Sequence, residues 1–571
     1  RGRFFWKWPE RLPYPVTVAF GAPLGTHVGA AAARLELMEL ASRTIETRFE
    51  GAGKARLLHA QFARNARRHW ASPCMTDSTG RRLTRGRTLT AGVLLARWMR
   101  QHHPDEAMLG VLLPSSVGAA LVNLGATLAG RVPVNLNFTA GPEAMKLAIE
   151  QCRIRTIVTS RAFLAKMPVG ELSGLVYLED LLKTTSTGSR AAAWLLARFA
   201  PIGWLESMCG GGQRSVNDLA TVIFSSGSTG VPKGVMLSHR NISANIEAME
   251  QLFWVSRDEC LLGVLPLFHS FGFTGTFWFP LIGGFPVVYH PNPMDAKAIG
   301  ELVHEYKATM LISTPTFYNA YLRRCTPEQF ASLRLAVVGA EKLREPLATA
   351  FKAKYGLELL EGYGCTEMAP VVAVNIPDVD DGHLHQTGTK RGSVGHPLPG
   401  VVTKVVDPDT GEGPLFGTQG LLLMKGPNLM LGYLGQPDKT REVLRDGWYV
   451  TGDLAIMDED GFLQITDRLS RFSKIGGEMV PHMKIEECIN ALLSDNTTSI
   501  VTSVADASRG ERLVAFYTDP DLLPQSLWEL LSGPELPRLW LPKREDLHRI
   551  EGIPTLGTGK VDLRAVRELA L

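Results

Sequence analysis

Thr221–Gly234, TVIFSSGSTGVPKG, is the segment whose residue types point most directly to chemistry. An apolar, strand-like run enters a loop of serines, threonine and glycines that closes on Pro232 and Lys233. Glycines let successive backbone N–H groups turn toward one point, hydroxyls add donors, and a lysine adds charge. Such a loop suits a polyanion, above all a chain of phosphates. No Gly-Lys-Ser/Thr ends it, so it is not the Walker pattern. An ordinary Gly/Ser loop is the bland alternative, and six small residues in a row before Val-Pro-Lys-Gly weigh against it. A histidine, His269, stands in the apolar run LPLFHSFG (265–272); a satisfied core histidine and a polar group at the edge of a site are both open to it.

The elements that must position this loop follow from composition and pattern. The chain has 571 residues, 45% hydrophobic and 20% charged, which excludes disorder and allows a large core. At ~150 residues per domain it holds three or four units. Sixty basic residues against 57 acidic ones are too balanced for a protein that coats nucleic acid. Seven cysteines lie far apart without a CxxC pair, so neither a disulfide framework nor a zinc site is expected, and a reducing, cytosolic setting fits. From Met108 to Leu360, apolar β-rich runs (MLGVLLP, TIVTS, LATVIFS, ATMLIST, LRLAVVG) alternate with helical segments, the pattern of parallel sheets with crossover helices. Two uncharged stretches, Gly110–Gly130 and Leu261–Tyr289, are long enough for membrane spans, but their glycines and prolines break them into α/β interior elements. Around Gly392–Leu463 short strands with close Gly and Pro turns predict a small barrel or antiparallel sheet. After Arg468 the pattern is α+β. At the other end, Pro15–Phe20 reads as a strand and Ala30–Thr47 as a helix. Residues 51–103 hold eleven Lys or Arg and one acid, Asp77. That stretch is either a solvated face of a packed helix or a docking surface for an acidic partner or anionic membrane.

SSGSTGVPKG resembles the phosphate-loop signature of the adenylate-forming superfamily of acyl-CoA synthetases, luciferases and peptide-synthetase adenylation domains. Further motifs resembling that family follow in order: LPLFHSFG (265–272), EGYGCTE (361–367), YVTGDL (449–454), TDR (466–468) with GGEMV (476–480), and PTLGTGKVD (554–562). The resemblance implies an α/β adenylate-forming fold. Its large N-terminal domain has two doubly wound parallel-sheet subdomains and a small β-barrel, and its C-terminal α+β lid is mobile. It implies ATP and Mg²⁺. Ser225, Ser226, Gly227, Ser228, Thr229, Gly230 and Lys233 would wrap the phosphates. Tyr363 would stack on adenine, with Gly339, Ala340 and Glu341 lining the other side of the base. Thr366 would contact the α-phosphate and Glu367 would hold Mg²⁺. Asp453 would accept the ribose hydroxyls, and Arg468 would reach the ribose or phosphate. Lys560 would bridge carboxylate and α-phosphate, and His269 would stand between the acyl site and the thiol tunnel. These types suit the task, because a carboxylate and a triphosphate repel unless cations lie over them. Where the family carries a charged hinge residue after Asp467-Arg468-Leu469, this chain has Ser470, with Arg471 next.

The wider wording, VNLNFTAG (134–141), LEGYGCTEMAPVVAVNIPD (360–378) and SRFSKIGGEMVPHMKIEE (470–487), resembles the acyl-ACP synthetase domain of the bacterial bifunctional 2-acylglycerophosphoethanolamine acyltransferase/acyl-ACP synthetases. That resemblance implies activation of a long-chain fatty acid and its transfer to holo-acyl carrier protein, feeding lysophospholipid reacylation on the cytoplasmic side of the inner membrane. A fatty acid–CoA ligase using coenzyme A and a silent lipid-binding module are the alternatives. Residues 1–50 would be the C-terminal remnant of a glycerolipid acyltransferase, 51–468 the adenylation domain and 469–571 the lid. The first residue is Arg, and the chain reads as cut from a longer protein. Acyltransferase chemistry needs a His and an Asp separated by four residues. Only His290 and Asp295 have that spacing, in the proline-rich loop HPNPMD, where a turn with a helix-capping Asp295 is the expectation. The aromatic-rich runs 261–289 and 314–321 read as acyl-tunnel lining or plain core.

Overall fold

The computed structural model describes residues 16–571 apart from 54–56, 168, 212–214, 226–231, 381, 383–384, 476–477, 495–496, 507–509, 534–535 and 556–560. Two parallel sheets form its centre. The larger has nine strands in the order His396–Pro397, Val371–Val374, Leu359–Gly364, Leu335–Val338, Met310–Ser313, Leu261–Gly263, Val287–Tyr289, Pro73–Asp77 and Arg82–Thr84. Its middle is parallel and its edges antiparallel. The smaller runs Val132–Asn135, Met108–Val111, Ile157–Thr159 and Leu175–Tyr177, all parallel. Beside it lies an antiparallel hairpin, Leu219–Ser225 with Lys233–Ser238, tied in by the Thr221 hydroxyl donating to the Pro133 carbonyl at 2.7 Å.

The helices of the N-terminal part include α1 Ala30–Ala52, α2 Leu58–Arg68, α3 Arg85–His102, α4 Val117–Leu128, α5 Thr187–Phe199 and α6 Ile202–Cys209, the last two packed on α3. The uncharged stretch Gly110–Gly130 supplies the end of one strand and α4, whose residues are nearly all buried. Ser116 starts α4 by accepting from the Ala119 N–H, since the first turn has no helical acceptor for its N–H groups. α3 and α4 cross closely. A Cβ on Gly125 would stand 2.7 Å from the Leu95 Cβ, and one on Gly92 would meet Leu124 at 2.9 Å. The second uncharged stretch gives the strand Leu261–Gly263, helical turns from Ser270 to Gly283 with a π-helical segment Phe273–Trp278, and the strand Val287–Tyr289. Phe273, Phe277, Trp278 and Phe279 are fully buried in the main core. Tyr318 and Tyr321 are buried too, their hydroxyls donating to the Leu311 and Pro293 carbonyls. These aromatic side chains are core. Among the described residues no helix is long and apolar enough to cross a membrane.

One expectation needs correction. Val16–Phe20 forms no strand; its side chains lie exposed, because alternation alone makes a strand only where a sheet edge and a buried face accept it. Residues 392–468 form, among the described pairings, an antiparallel sheet in the order Val402–Val406, Gly420–Lys425, Trp448–Met457, Leu444–Arg445, with Leu463–Arg468 also on Trp448–Met457. This is the antiparallel sheet that the close Gly and Pro turns predict, with Val402–Val406 at its edge among the described pairings. The basic stretch 51–103 divides its charge, with Arg68, Arg81, Arg82 and Arg87 exposed and Arg85 buried. Arg67 donates to the carbonyls of Ala197 and Leu196, Arg100 to those of Ser207 and Met208, and fully buried Arg85 to those of Leu281 and Phe285. Carbonyls at helix ends lack intrahelical partners, and a guanidinium supplies several donors at once.

Helix α1 packs on the antiparallel sheet, with Arg34 donating to the Glu459 carbonyl at 2.8 Å and Arg48 paired with Glu247. The last hundred residues build their own sheet, Glu478–Pro481, Phe472–Ile475, Gly510–Tyr517, Ser499–Asp506, with Leu547–Arg549 beside Gly510–Tyr517. It has a separate core around Ile475, Ile485, Leu513 and Leu527. Lys342 to Glu487 (2.8 Å) and Arg344 to the Thr498 hydroxyl (2.6 Å) join it to the rest.

The α3–α4 crossing makes a direct prediction. Gly125→Ala will lower unfolding stability by about 1–3 kcal/mol through overpacking. Gly51→Ala, in α1 with open space around it, will be neutral or slightly stabilising. Chemical denaturation followed by circular dichroism checks the pair.

Candidate active site

The hairpin 219–238 places Ser225 directly opposite Lys233, so the Gly/Ser loop is its tip. Ser226, Gly227, Ser228, Thr229 and Gly230 lie outside the described residues. The strand Gly432–Tyr433 pairs with the hairpin, and the Lys233 ammonium stands 5.2 Å from the Tyr433 ring centre. The Tyr433 hydroxyl donates to buried Glu367 at 2.8 Å. Glu367 sits on the 3₁₀ turn Thr366–Met368, and its carbonyl accepts from the Met430 N–H. The Thr366 hydroxyl accepts from Ser270 at 3.3 Å. Ser270 follows His269, the half-buried residue that starts the 270–283 helical turns. Gly272 is required there, because a Cβ would stand 2.1 Å from the Pro266 carbonyl oxygen.

A second cluster adjoins the first. The Tyr363 hydroxyl donates to the Asp453 carboxylate, whose other oxygen accepts from the Arg468 Nε at 2.9 Å. Asp453 and Arg468 face each other across an antiparallel strand pair. Burial first, then the Asp453 charge, pushes the Tyr363 hydroxyl well above its usual range. Cys365 feels the charges of both Glu367 and Asp453, and Tyr449 neighbours Glu367, Cys365, Tyr433 and Tyr363, so the clusters form one polar site. Gly339-Ala340-Glu341 lies at its edge. Gly339 packs on the Gly362 carbonyl and Phe271, Ala340 takes a left-handed φ of 73°, and Glu341 accepts from the Thr316 hydroxyl at 2.7 Å.

The donor set suits a nucleotide. A buried carboxylate beside an arginine offers acceptors for hydroxyls, and Lys233 and Thr366 offer donors for phosphates. A Cβ on Gly339 would crowd the lining next to Tyr363. Among the described residues no group of three or more His, Cys, Asp or Glu could hold a metal. A single carboxylate is what Mg²⁺ needs when phosphates and water supply the rest. Lys560 lies outside the described residues. His290 is buried and 3.7 Å from Asp295, whose side chain caps the helix Ala296–Tyr306.

Sequence reasoning missed Tyr433, Ser270 and Tyr449 as partners within the site. Ser270 and Tyr449 stand inside the motifs LPLFHSFG and YVTGDL, whereas nothing in the spacing of GPNLMLGY marks Tyr433. It also missed Glu361, whose carboxyl burial pushes up to about 7. The Leu343 N–H donates to it at 2.9 Å.

The description "AMP-binding enzyme" matches residues 62–434, more than half of the chain, and the chain belongs to that family. A long-chain-fatty-acid–CoA ligase of Escherichia coli O6:H1 is 35% identical over 365 residues, 62% of this chain and 62% of its own. A namesake from Bacillus subtilis is 32% identical over 306 residues, 52% of each. The chain thus spans less than two thirds of the length of these curated relatives. ATP-bound MatB from Rhodopseudomonas palustris superposes with a TM-score of 0.76 at 26% identity, over 90% of this chain and 98% of that one. The o-succinylbenzoate CoA synthetase MenE from Bacillus subtilis shares the fold at 19% identity and a TM-score of 0.74.

Glu361 sets a pH dependence. Its carboxyl binds a proton more tightly folded than unfolded, so it stabilises fully at pH below about 4.5, and that contribution is lost as pH rises through about 7. Glu361→Gln keeps the acceptor for Leu343. Relative to wild type it will gain on the order of 3 kcal/mol between those limits and then level off. Denaturation at a series of pH values, taken as the difference between the two proteins, checks this; parallel curves would refute it.

Proposed function

We propose that this chain activates a long-chain fatty acid with MgATP and passes the acyl group to a phosphopantetheine thiol. The observation that carries the proposal is the convergence of Lys233, Thr366, Glu367, Tyr363, Asp453 and Arg468 on one polar site in an AMP-binding enzyme. Residues 51–468 would be the adenylation domain and 469–571 a lid that turns about Arg468–Arg471. Residues 1–50 would be the end of a glycerolipid acyltransferase domain.

In this reading Lys233 and the hairpin tip hold the phosphates. Asp453 accepts the ribose hydroxyls, with Arg468 beside it. Tyr363 and the Gly339–Glu341 turn flank the base. Thr366 donates to the α-phosphate, where negative charge builds as the carboxylate attacks. Glu367, oriented by Tyr433, would hold Mg²⁺, which supplies charge neutralisation between the phosphates. Lys560 would steady the carboxylate during attack and leave with the lid, opening the site to a thiol near His269. Acyl carrier protein is the acceptor favoured by the 134–141, 360–378 and 470–487 wording. Coenzyme A is favoured by the ligases at 35% identity. Transfer to carrier protein would place the chain at the cytoplasmic face of the inner membrane.

Thioester formation from palmitate, ATP and Mg²⁺ tests the proposal, with holo-acyl carrier protein and coenzyme A offered separately. Product on the carrier alone supports the acyl-ACP reading; product on coenzyme A alone refutes it. Product on neither refutes fatty-acid activation. Lys560→Ala will abolish adenylation yet spare thioester formation from supplied acyl-adenylate; equal loss of both would rule out the lid. Asp453→Ala will weaken ATP binding about tenfold or more in calorimetry, the worth of charge-assisted bonds; unchanged affinity would remove Asp453 from the nucleotide site.

A further inference from the structure

Helices α5 and α6, joined through Ala200 and Pro201, lie on α3. α5 buries Ala193 and Ala197 against the protein and packs half-buried Leu196 beside them. It turns Trp194, Leu195 and Phe199 outward at 44%, 53% and 64% exposure. α6 buries Leu205 and Cys209 and leaves Trp204 70% and Met208 45% exposed. An ordinary surface helix faces its large apolar residues to the core and its polar ones to water. The Trp194 and Phe199 rings touch, with centroids 5.8 Å apart, and exposed aromatic surface of this kind marks an interaction face.

The hairpin is not loosely attached. Arg67 of α2 caps the C-terminal carbonyls of α5, and Arg100 of α3 caps those of α6. Glu206, the one acid of the two helices, is buried 2.9 Å from His59. The outward face therefore carries no acid of its own. Its rim is cationic. Arg190 is exposed on α5, and the Arg198 guanidinium lies 5.5 Å from both the Phe199 and Trp70 rings. Next to Trp70, the His69 ring is 3.5 Å from Arg257. Burial and then the charges of Arg257, Arg85 and Arg68 hold His69 below its usual range, a sign of local positive potential.

We propose that α5 and α6 form a docking face for an anionic lipid bilayer. Trp194, Phe199 and Trp204 would enter the headgroup–acyl boundary, with Arg190, Arg198 and Arg257 over the phosphates. Indole rings favour that boundary, because one edge is apolar and the N–H finds polar partners. A cationic rim around an apolar face matches a surface that is negative outside and apolar beneath. The face lies apart from the ATP site and does not depend on which thiol accepts the acyl group.

The test is flotation of the full chain with vesicles of phosphatidylethanolamine and phosphatidylglycerol, and with vesicles of phosphatidylcholine. Wild type will float with the anionic vesicles, less so as salt rises. Trp194→Ser, Phe199→Ser and Trp204→Ser together will lower partitioning roughly a hundredfold, since each aromatic group loses its burial. Their melting curve and their thioester formation without vesicles will match wild type. Arg198→Gln with Arg257→Gln will bind more weakly and with less salt dependence. Brominated acyl chains will quench tryptophan emission of bound wild type, and Trp204→Phe will float while losing part of that quenching. Wild type that fails to float, an aromatic-free variant that floats equally, or absence of quenching would overturn the proposal. So would a wild-type dimer that the triple variant abolishes without any lipid binding, which would make the face a self-contact.

Discussion

Asp453 holds the candidate site together. Its carboxylate is nearly sealed from water, and it joins three pieces of chain: the strand carrying Tyr363, the strand Trp448–Met457 and the strand ending at Arg468. A buried carboxylate is tolerated only with charge and hydrogen bonds around it. The Arg468 side chain is itself more than half exposed, so water screens part of the pairing and the Tyr363 hydroxyl carries the rest. Asp453 has both kinds of partner, a guanidinium on one oxygen and a phenol on the other. The chain leaves the large part immediately after Arg468, so the same ion pair anchors the point from which the last hundred residues depart. A ligand hydroxyl that competes for Asp453 would act on the pair that fixes this departure point. That gives a physical route by which occupancy acts on the segment that leads into the last hundred residues.

The second cluster works by the same constraint with a different partner. Glu367 is as buried as Asp453, and the neutral Tyr433 hydroxyl orients it. Lys233 stays 5.2 Å from the ring of the same tyrosine. A phenol between a carboxylate and an ammonium keeps the two from collapsing into a closed ion pair. Among the described contacts the tyrosine thus touches both charges, the carboxylate through its hydroxyl and the ammonium through its ring.

Much of this was legible in the sequence. The alternation of apolar runs gave parallel sheets, and the prolines and glycines of 261–289 broke that stretch into core elements. The small-residue loop before Lys233 marked the hairpin tip, and the order of motifs brought Tyr363, Glu367, Asp453 and Arg468 to one site. What was not legible depends on partners distant in sequence. Tyr433 matters because its strand pairs with the hairpin. Glu361 matters because burial leaves its carboxyl with few donors. Val16–Phe20 alternates like a strand and finds no edge. The close turns after Gly392 predict a barrel or an antiparallel sheet, and turn spacing does not report whether a closing strand pair forms.

The basic stretch 51–103 shows that composition does not report direction residue by residue. Arg68, Arg81, Arg82 and Arg87 are exposed, Arg85 is buried, and Arg67 and Arg100 lie at the surface with their guanidinium groups ending on backbone carbonyls. Arg67 and Arg100 brace α5 and α6, the helices that show aromatic residues to solvent. Capping arginine and outward tryptophan are therefore two sides of one arrangement. Helix ends need donors, guanidinium groups provide them, and the helices so fixed can leave their large apolar side chains unburied. Without Arg67 and Arg100, burying Trp194 and Phe199 against α3 would be the obvious way to hold α5. With them, the side of the helix that carries Ala193, Leu196 and Ala197 is enough, and the aromatic side is left free for a surface outside the protein.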